Sequence, residues 1–122
     1  MALHFSQFDS LTFEKMHALG NDFMIVLTDQ NQTMPSRKTI QQWGCRHQGI
    51  GFDQFLWAST HPNHADHLNV YITNSDGTSA KQCGNGLRCL AALWARQNNQ
   101  NKPLTFVIGH LNYQATFNQQ FP

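Results

Sequence analysis

The apolar positions follow two rhythms along the chain. Phe23-Met24-Ile25-Val26-Leu27 is an unbroken apolar run of strand length and predicts a buried strand. Leu68, Val70 and Ile72 recur with a period of two, as do Leu104, Phe106 and Ile108, and then Tyr113, Ala115 and Phe117. A period of two puts every second side chain on one sheet face, so each stretch predicts a half-buried strand. The short stretches Phe13–Met16 and Phe55–Ala58 read as two more. Ser36 followed by Arg37–Trp43 predicts a short capped helix, with Ile40 and Trp43 one turn apart and Gly44 ending it in the left-handed conformation. From Leu87 to Arg96 only Arg88 and Arg96 are charged, and the other eight residues are Leu, Cys, Ala or Trp. A helix that is apolar nearly all round must be enclosed by other elements.

Polar and turn-rich stretches separate these elements. They are Leu19–Asp22, Thr28–Ser36, Gly49–Gln54, a polar connection at His61–Asp66, the turn signal Asn74-Ser75-Asp76-Gly77, and the break Asn98–Lys102. The expected class is α+β, with several short strands around one central helix and no internal repeat. Residues 1–11 read as a loose N-terminal arm and 12–122 as one lobe. The chain stops straight after a strand pattern, which reads as a piece of something longer.

Composition narrows the function. Charged residues are 12%, about half the usual one-quarter, against 40% hydrophobic. That excludes a disordered chain. A net charge of +1 gives no electrostatic footprint for nucleic acid. Three cysteines, Cys45, Cys83 and Cys89, do not make a disulfide framework and fit reduced thiols in the cytoplasm. The opening residues lack a signal peptide's basic and apolar regions, and no stretch approaches the ~18 apolar residues of a membrane span.

The densest chemistry lies in Gln82-Cys83-Gly84-Asn85-Gly86-Leu87-Arg88-Cys89. A thiol stands just before a predicted helix start, and two glycines flank Asn85. Unpaired N–H groups at a helix N-terminus bind carboxylates or phosphates and favour thiolate over thiol. One junction can therefore hold an anionic group and set a proton-transfer residue beside it. On composition alone, Cys83 reads equally as a buried, inert thiol. Cys89 reads as helix core. Cys45, at a predicted helix end, has the same structural reading.

Three motifs together resemble one family, the diaminopimelate epimerases. Lys15-Met16-His17-Ala18-Leu19-Gly20-Asn21-Asp22-Phe23 resembles the family's first motif. Arg46 with Gly49-Ile50-Gly51-Phe52-Asp53-Gln54 resembles the second. Asn74–Ala80 with Gln82–Cys89 resembles the third, which bears the first catalytic cysteine. The resemblance spans about residues 12 to 117. It implies epimerisation of LL- to meso-diaminopimelate, on the route to lysine and the bacterial cell wall, without pyridoxal phosphate, other cofactor or metal. Two cysteines would flank the substrate Cα, one removing a proton as thiolate and the other returning one as thiol. Cys83 would be one of them. Asn21, Gln54, Asn74, Gly84 and Asn85 would line the substrate site, with Gly84 and Asn85 offering backbone N–H groups to a carboxylate. Read without the resemblance, Asn21 and Asn74 are turn residues and Gln54 a strand end.

The family's fold is two similar lobes, each a curled, mostly antiparallel sheet around a central helix. Its second lobe, with the second catalytic cysteine, has no counterpart in these 122 residues. The implied partner is therefore a second lobe or a second copy of the chain, with no nucleic acid or membrane. Cys45 and Lys81 stand where the family commonly has other residue types. The alternatives are a lobe of a related two-thiol amino-acid racemase, or a single lobe that only binds ligand or dimerises. His61, His64 and His67 recur every third residue, but on a loop that spacing fixes no ligand geometry, so no metal site is expected.

Overall fold

The computed structural model describes residues 11–29, 31–61, 63–80, 84–99 and 102–117. It holds β1 (Glu14–Ala18), β2 (Asn21–Thr28), α1 (Arg37–Gly44), β3 (Gln54–His61), β4 (His64–Asn74), α2 (Gly84–Asn98), β5 (Leu104–Ile108) and β6 (Leu111–Ala115). The six strands form one sheet in chain order, β1-β2-β3-β4-β5-β6. The pairs β1–β2, β3–β4 and β5–β6 are antiparallel, while β2–β3 and β4–β5 are parallel. The N-terminal arm predicted at residues 1–11 falls almost wholly outside the described residues. No described helix is long and apolar enough to cross a membrane.

Each parallel pair needs a crossover, and each crossover carries a helix. Both step across the sheet in the same direction, but β2 and β4 run opposite ways. Right-handed crossovers then put the two helices on opposite faces, and that is the arrangement found. On one face Phe23, Ile25, Leu56, Ala58, Leu68, Val70 and Ile72 pack with Leu90, Leu93 and Trp94 of α2. On the other, Met24, Val26, Phe55 and Trp57 pack with Ile40 and Trp43 of α1. The apolar run in β2 is thus buried on both faces, because a helix covers each. β4 is half-buried along its middle, with Leu68, Val70 and Ile72 in the α2-side core and Tyr71 exposed on the other face. Side chains from all six strands reach the α2 cluster, so the sheet curls around that helix.

Three expectations need correction. Gly44 does not end α1 in the left-handed conformation. It is the last helical residue, and Cys45 caps the helix with φ −67° and ψ 120°. Glycine is needed there for space, since a Cβ would lie 2.6 Å from the Ser75 carbonyl oxygen. Secondly, the His61–Asp66 connection is mostly strand rather than loop, because β3 runs to His61 and β4 begins at His64. Thirdly, Gly84, Asn85 and Gly86 do not precede α2 but form its first turn. At the other end of α1, Ser36 Oγ accepts from the Thr39 N–H, as the capping signal predicts.

Gly44→Ala provides a check, because helix propensity and packing predict opposite signs. Alanine favours an exposed helix interior by about 1 kcal/mol. The clash with the Ser75 backbone should outweigh this and leave the chain roughly 1–3 kcal/mol less stable in urea unfolding.

Candidate functional site

The β3 register assembles the candidate site. Phe23 of β2 is the cross-strand partner of Gln54 of β3, and Gln54 is the partner of Asn74 of β4. Side chains in one such row point to the same face of a sheet. Phe23 belongs to the α2-side core, so Gln54 and Asn74 lie on that side at the end of the sheet. Here this row, Asn21, Asp53 and the first turn of α2 surround a cavity of about 530 Å³, lined by Asn21, Phe23, Asp53, Gln54, Asn74 and the α2 residues Gly84 and Asn85. That volume suits a small molecule. All five predicted substrate-binding residues, Asn21, Gln54, Asn74, Gly84 and Asn85, therefore stand on one cavity wall. Cys83 lies outside the described residues, and its chain neighbour Gly84 is in the wall.

The lining is chemically uneven. Asn21, Gln54, Asn74 and Asn85 carry carboxamides, which both donate and accept. The first N–H groups of α2 have no acceptor within the helix, and the helix dipole is positive at that end. Gly84 has open space where a Cβ would stand, so a ligand can approach its backbone closely. Asn85 Oδ1 accepts from Arg88 Nη1 at 3.1 Å, which orients its carboxamide. Asn74 is tied into its turn. Its Nδ2 donates to Thr78 Oγ1 at 3.1 Å, and Thr78 Oγ1 donates to Asp76 Oδ1 at 2.6 Å. The Thr78 hydroxyl, then its backbone N–H, holds the Asp76 carboxyl below its ordinary pKa.

A clamp behind the cavity was not anticipated from sequence. The Asp22 N–H donates to Asp53 Oδ2 at 3.0 Å, and the Asp53 N–H donates to Asp22 Oδ1 at 2.9 Å. Arg46 bridges the pair, donating to both Asp22 oxygens at 2.8 and 3.0 Å and to Asp53 Oδ1 at 3.2 Å. Lys15 Nζ lies 2.9 Å from Asp22 Oδ2 and also donates to the Gly51 carbonyl. The cluster locks the start of β2, with Asn21, to the start of β3, with Gln54. Its members were present in the motifs, but only the parallel pairing of β2 with β3 shows that they meet. The visible signal was an acid beside an amide just before a phenylalanine, in Asn21-Asp22-Phe23 and again in Asp53-Gln54-Phe55. Hydrogen bonding from Arg46 is the main reason that Asp22 is held well below the usual carboxylate range, with Lys15 and the Asp53 N–H adding to it against partial burial.

The remaining described thiols fit structural roles. Cys89 is buried in α2, and burial pushes its pKa up, away from thiolate chemistry. Cys45 is half-buried at the α1 C-cap. A second cavity of about 430 Å³ lies between α2 and β6, where Leu87, Ala91, Phe106, Tyr113 and Phe117 make it largely apolar. Of the predicted site residues it touches Gly84 alone.

A family model described as diaminopimelate epimerase matches residues 13–114. Over 82 residues the chain is 48% identical to a diaminopimelate epimerase of Ectopseudomonas mendocina. Over the same length it is 49% identical to one of Pseudomonas savastanoi pv. phaseolicola. Each alignment covers 66% of this chain and 29% of the relative, so the match takes in less than a third of those proteins. A solved structure of a phenazine biosynthesis protein of the PhzF family from Enterococcus faecalis aligns with TM-score 0.57. That alignment covers 83% of this chain and 35% of the other at 10% identity, a likeness of fold alone.

The clamp makes a pH-dependent prediction. The folded-state pKa of Asp22 is depressed, so its contribution is complete above the unfolded value of roughly 3.9 and fades as pH falls below it. Asp22→Asn should lower the urea midpoint at neutral pH. Its gap from the parent should narrow as pH falls from about 5 through that value. A gap that does not change with pH would mean that the carboxylate charge is not what holds the two loops.

Proposed function

The chain belongs to the diaminopimelate epimerase family, and on that premise we propose that it forms one lobe of a two-base epimerase, whose reaction uses neither cofactor nor metal, acting on LL-diaminopimelate in the cytoplasm. The observation that carries this reading is the convergence of Asn21, Gln54, Asn74, Gly84 and Asn85 on one cavity at the start of α2. In this reading an α-carboxylate of the substrate sits on the α2 N-terminus and accepts from the Gly84 and Asn85 N–H groups. The carboxamides of Asn21, Gln54 and Asn74 bind the α-amino group and the remaining polar atoms.

The chemistry requires that arrangement. An amino-acid Cα–H is a very weak acid, and its removal places negative charge on the carboxylate as an enediolate. Fixed donors aimed at those oxygens stabilise that charge without reorganising. Cys83, as thiolate, takes the α-proton and becomes a thiol. A second thiol on the opposite face gives its proton to Cα and is left as thiolate, so one proton is taken, one is given and the configuration inverts. The second thiol comes from a second lobe or another chain. The polar cavity, with four carboxamides and a helix N-terminus, favours this over a lobe that only dimerises. The fold does not separate diaminopimelate from the substrate of a related racemase; the three motif loops favour diaminopimelate.

A lobe with one base makes a distinctive prediction. In D2O this chain should exchange the α-proton of LL-diaminopimelate slowly and with retention, without building up the meso isomer. Cys83→Ala should reduce that exchange by about 10²–10⁴-fold, the usual contribution of a positioned acid or base. NMR of the α-proton reads both quantities. Exchange undiminished in the variant would remove Cys83 from the mechanism. No exchange by the folded parent chain would favour a lobe that binds without catalysing.

A further inference from the structure

A second cluster of donors lies at the other end of the sheet. β3 runs from Gln54 at the cavity to His61 at the hairpin, seven steps or about 23 Å at strand rise. There the β3–β4 ladder is interrupted. Thr60 pairs with Leu68, but the next pair is His61 with His64, so Ala65, Asp66 and His67 bulge out between two consecutive pairs. A bulge curls its strand and re-aims its side chains. Here it folds His64 back onto His67, with the rings stacked and their centroids 4.6 Å apart. His61 lies across the ladder with its ring 4.8 Å from His64 and 6.0 Å from His67. Asp66 Oδ1 is 3.8 Å from His67 Nε2.

We propose that His64, Asp66 and His67 form a binding site for a late first-row divalent metal ion, with Zn²⁺ the best fit, and that His61 flanks it as a further nitrogen donor. One ligand atom from each of the three residues lies within 4.8 Å of the others. Bond lengths of about 2.0–2.2 Å in a tetrahedral site put donors roughly 3.4 Å apart. Closure therefore asks for a movement of about 1.4 Å or less from side chains at the surface. His64 and Asp66 are exposed and His67 half-buried, so rotamer changes supply it. Two imidazoles with one carboxylate suit Zn²⁺ and its neighbours, whereas Mg²⁺ and Ca²⁺ prefer oxygen-only sets. Three protein ligands leave a position for His61 or water. His61 Nδ1 accepts from the Asn63 N–H at 3.1 Å, which fixes the ring beside the site.

The place suggests a clip rather than a catalyst. β2 pairs with β3 only as far as Ser59, and β5 pairs with β4 only from His67 onward. The hairpin tip beyond them is a two-stranded ribbon, which is marginal on its own. His64, Asp66 and His67 all belong to β4, so an ion on them pins the bulge, and His61 of β3 as the fourth ligand ties the two strands of the ribbon together, with the cavity left untouched. This inference is independent of the proposed reaction.

The test is Zn²⁺ titration of the chain by calorimetry, beside H64Q/H67Q and the control H47Q/H110Q. All three proteins keep every cysteine. The parent and control should bind one Zn²⁺ per chain, and H64Q/H67Q should lose roughly 100-fold or more in affinity, since even an outer-shell partner is worth 10–100-fold. Imidazole ¹⁵N resonances of His64 and His67 should move on Zn²⁺ addition while those of His47 and His110 stay. Zn²⁺ at a hundred times its Kd should shift the parent's folding equilibrium by about 100-fold toward the native state and raise its Tm. Equal Zn²⁺ affinity in parent and H64Q/H67Q, no measurable binding to the parent, or ring shifts confined to other histidines would overturn the proposal.

Discussion

β3 lies parallel to β2 and antiparallel to β4, and the register of those two ladders sets Phe23, Gln54 and Asn74 in one row. That row is the floor of the cavity. A one-residue slip of β3 would turn Gln54 to the α1 side and send Phe55 and Trp57 into the α2 core, so the two hydrophobic clusters enforce the register. The Asp22–Arg46–Asp53 clamp enforces it again at the strand ends, where the backbone N–H of each aspartate donates to the carboxylate of the other. The cavity is therefore held by the core on one side and by ion pairs on the other, although much of its wall is open to solvent.

The opposite placement of the helices has a functional consequence. Because α2 shares a face with that row, its first turn arrives over Gln54 and Asn74 and brings Gly84 and Asn85 into the wall. α1 braces the same end from behind. Its last residue, Gly44, lies against the Ser75 carbonyl, and its first, Arg37, lies against Gly77, whose φ of +85° suits glycine. Turn, helix and strand ends thus support one another around one concave surface, as a rigid scaffold presenting loop residues requires.

Much of this was legible along the chain, and the reasons are physical. An unbroken apolar run marked β2 because both its faces are buried, and a period of two marked β4 and β5 because one face is. Ser36 marked the start of α1 because a cap must satisfy a free N–H. The three motifs marked Asn21, Gln54, Asn74, Gly84 and Asn85, and all five meet at the cavity. What stayed hidden depends on pairing between distant segments. Lys15, Asp22, Arg46 and Asp53 meet only because β2 and β3 are neighbours. His64 and His67 stack only because a bulge interrupts a ladder, so a spacing of three in a polar stretch gave no sign of it. Gly44 was misread because its need is for space beside Ser75, which lies 31 residues away in sequence.

The central claim is that the row Phe23–Gln54–Asn74 and the first turn of α2 form the half-site for the α-amino-acid end of the substrate. The most direct measurement is a ¹H–¹⁵N NMR titration of this chain with LL-diaminopimelate. Saturable shifts are expected at the backbone amides of Gly84 and Asn85 and at the side-chain amides of Asn21, Gln54 and Asn74, with His61 and His64–His67 unmoved. Saturable shifts confined to Leu87, Phe106 and Tyr113 around the apolar second cavity, or no saturable shift at all, would contradict it.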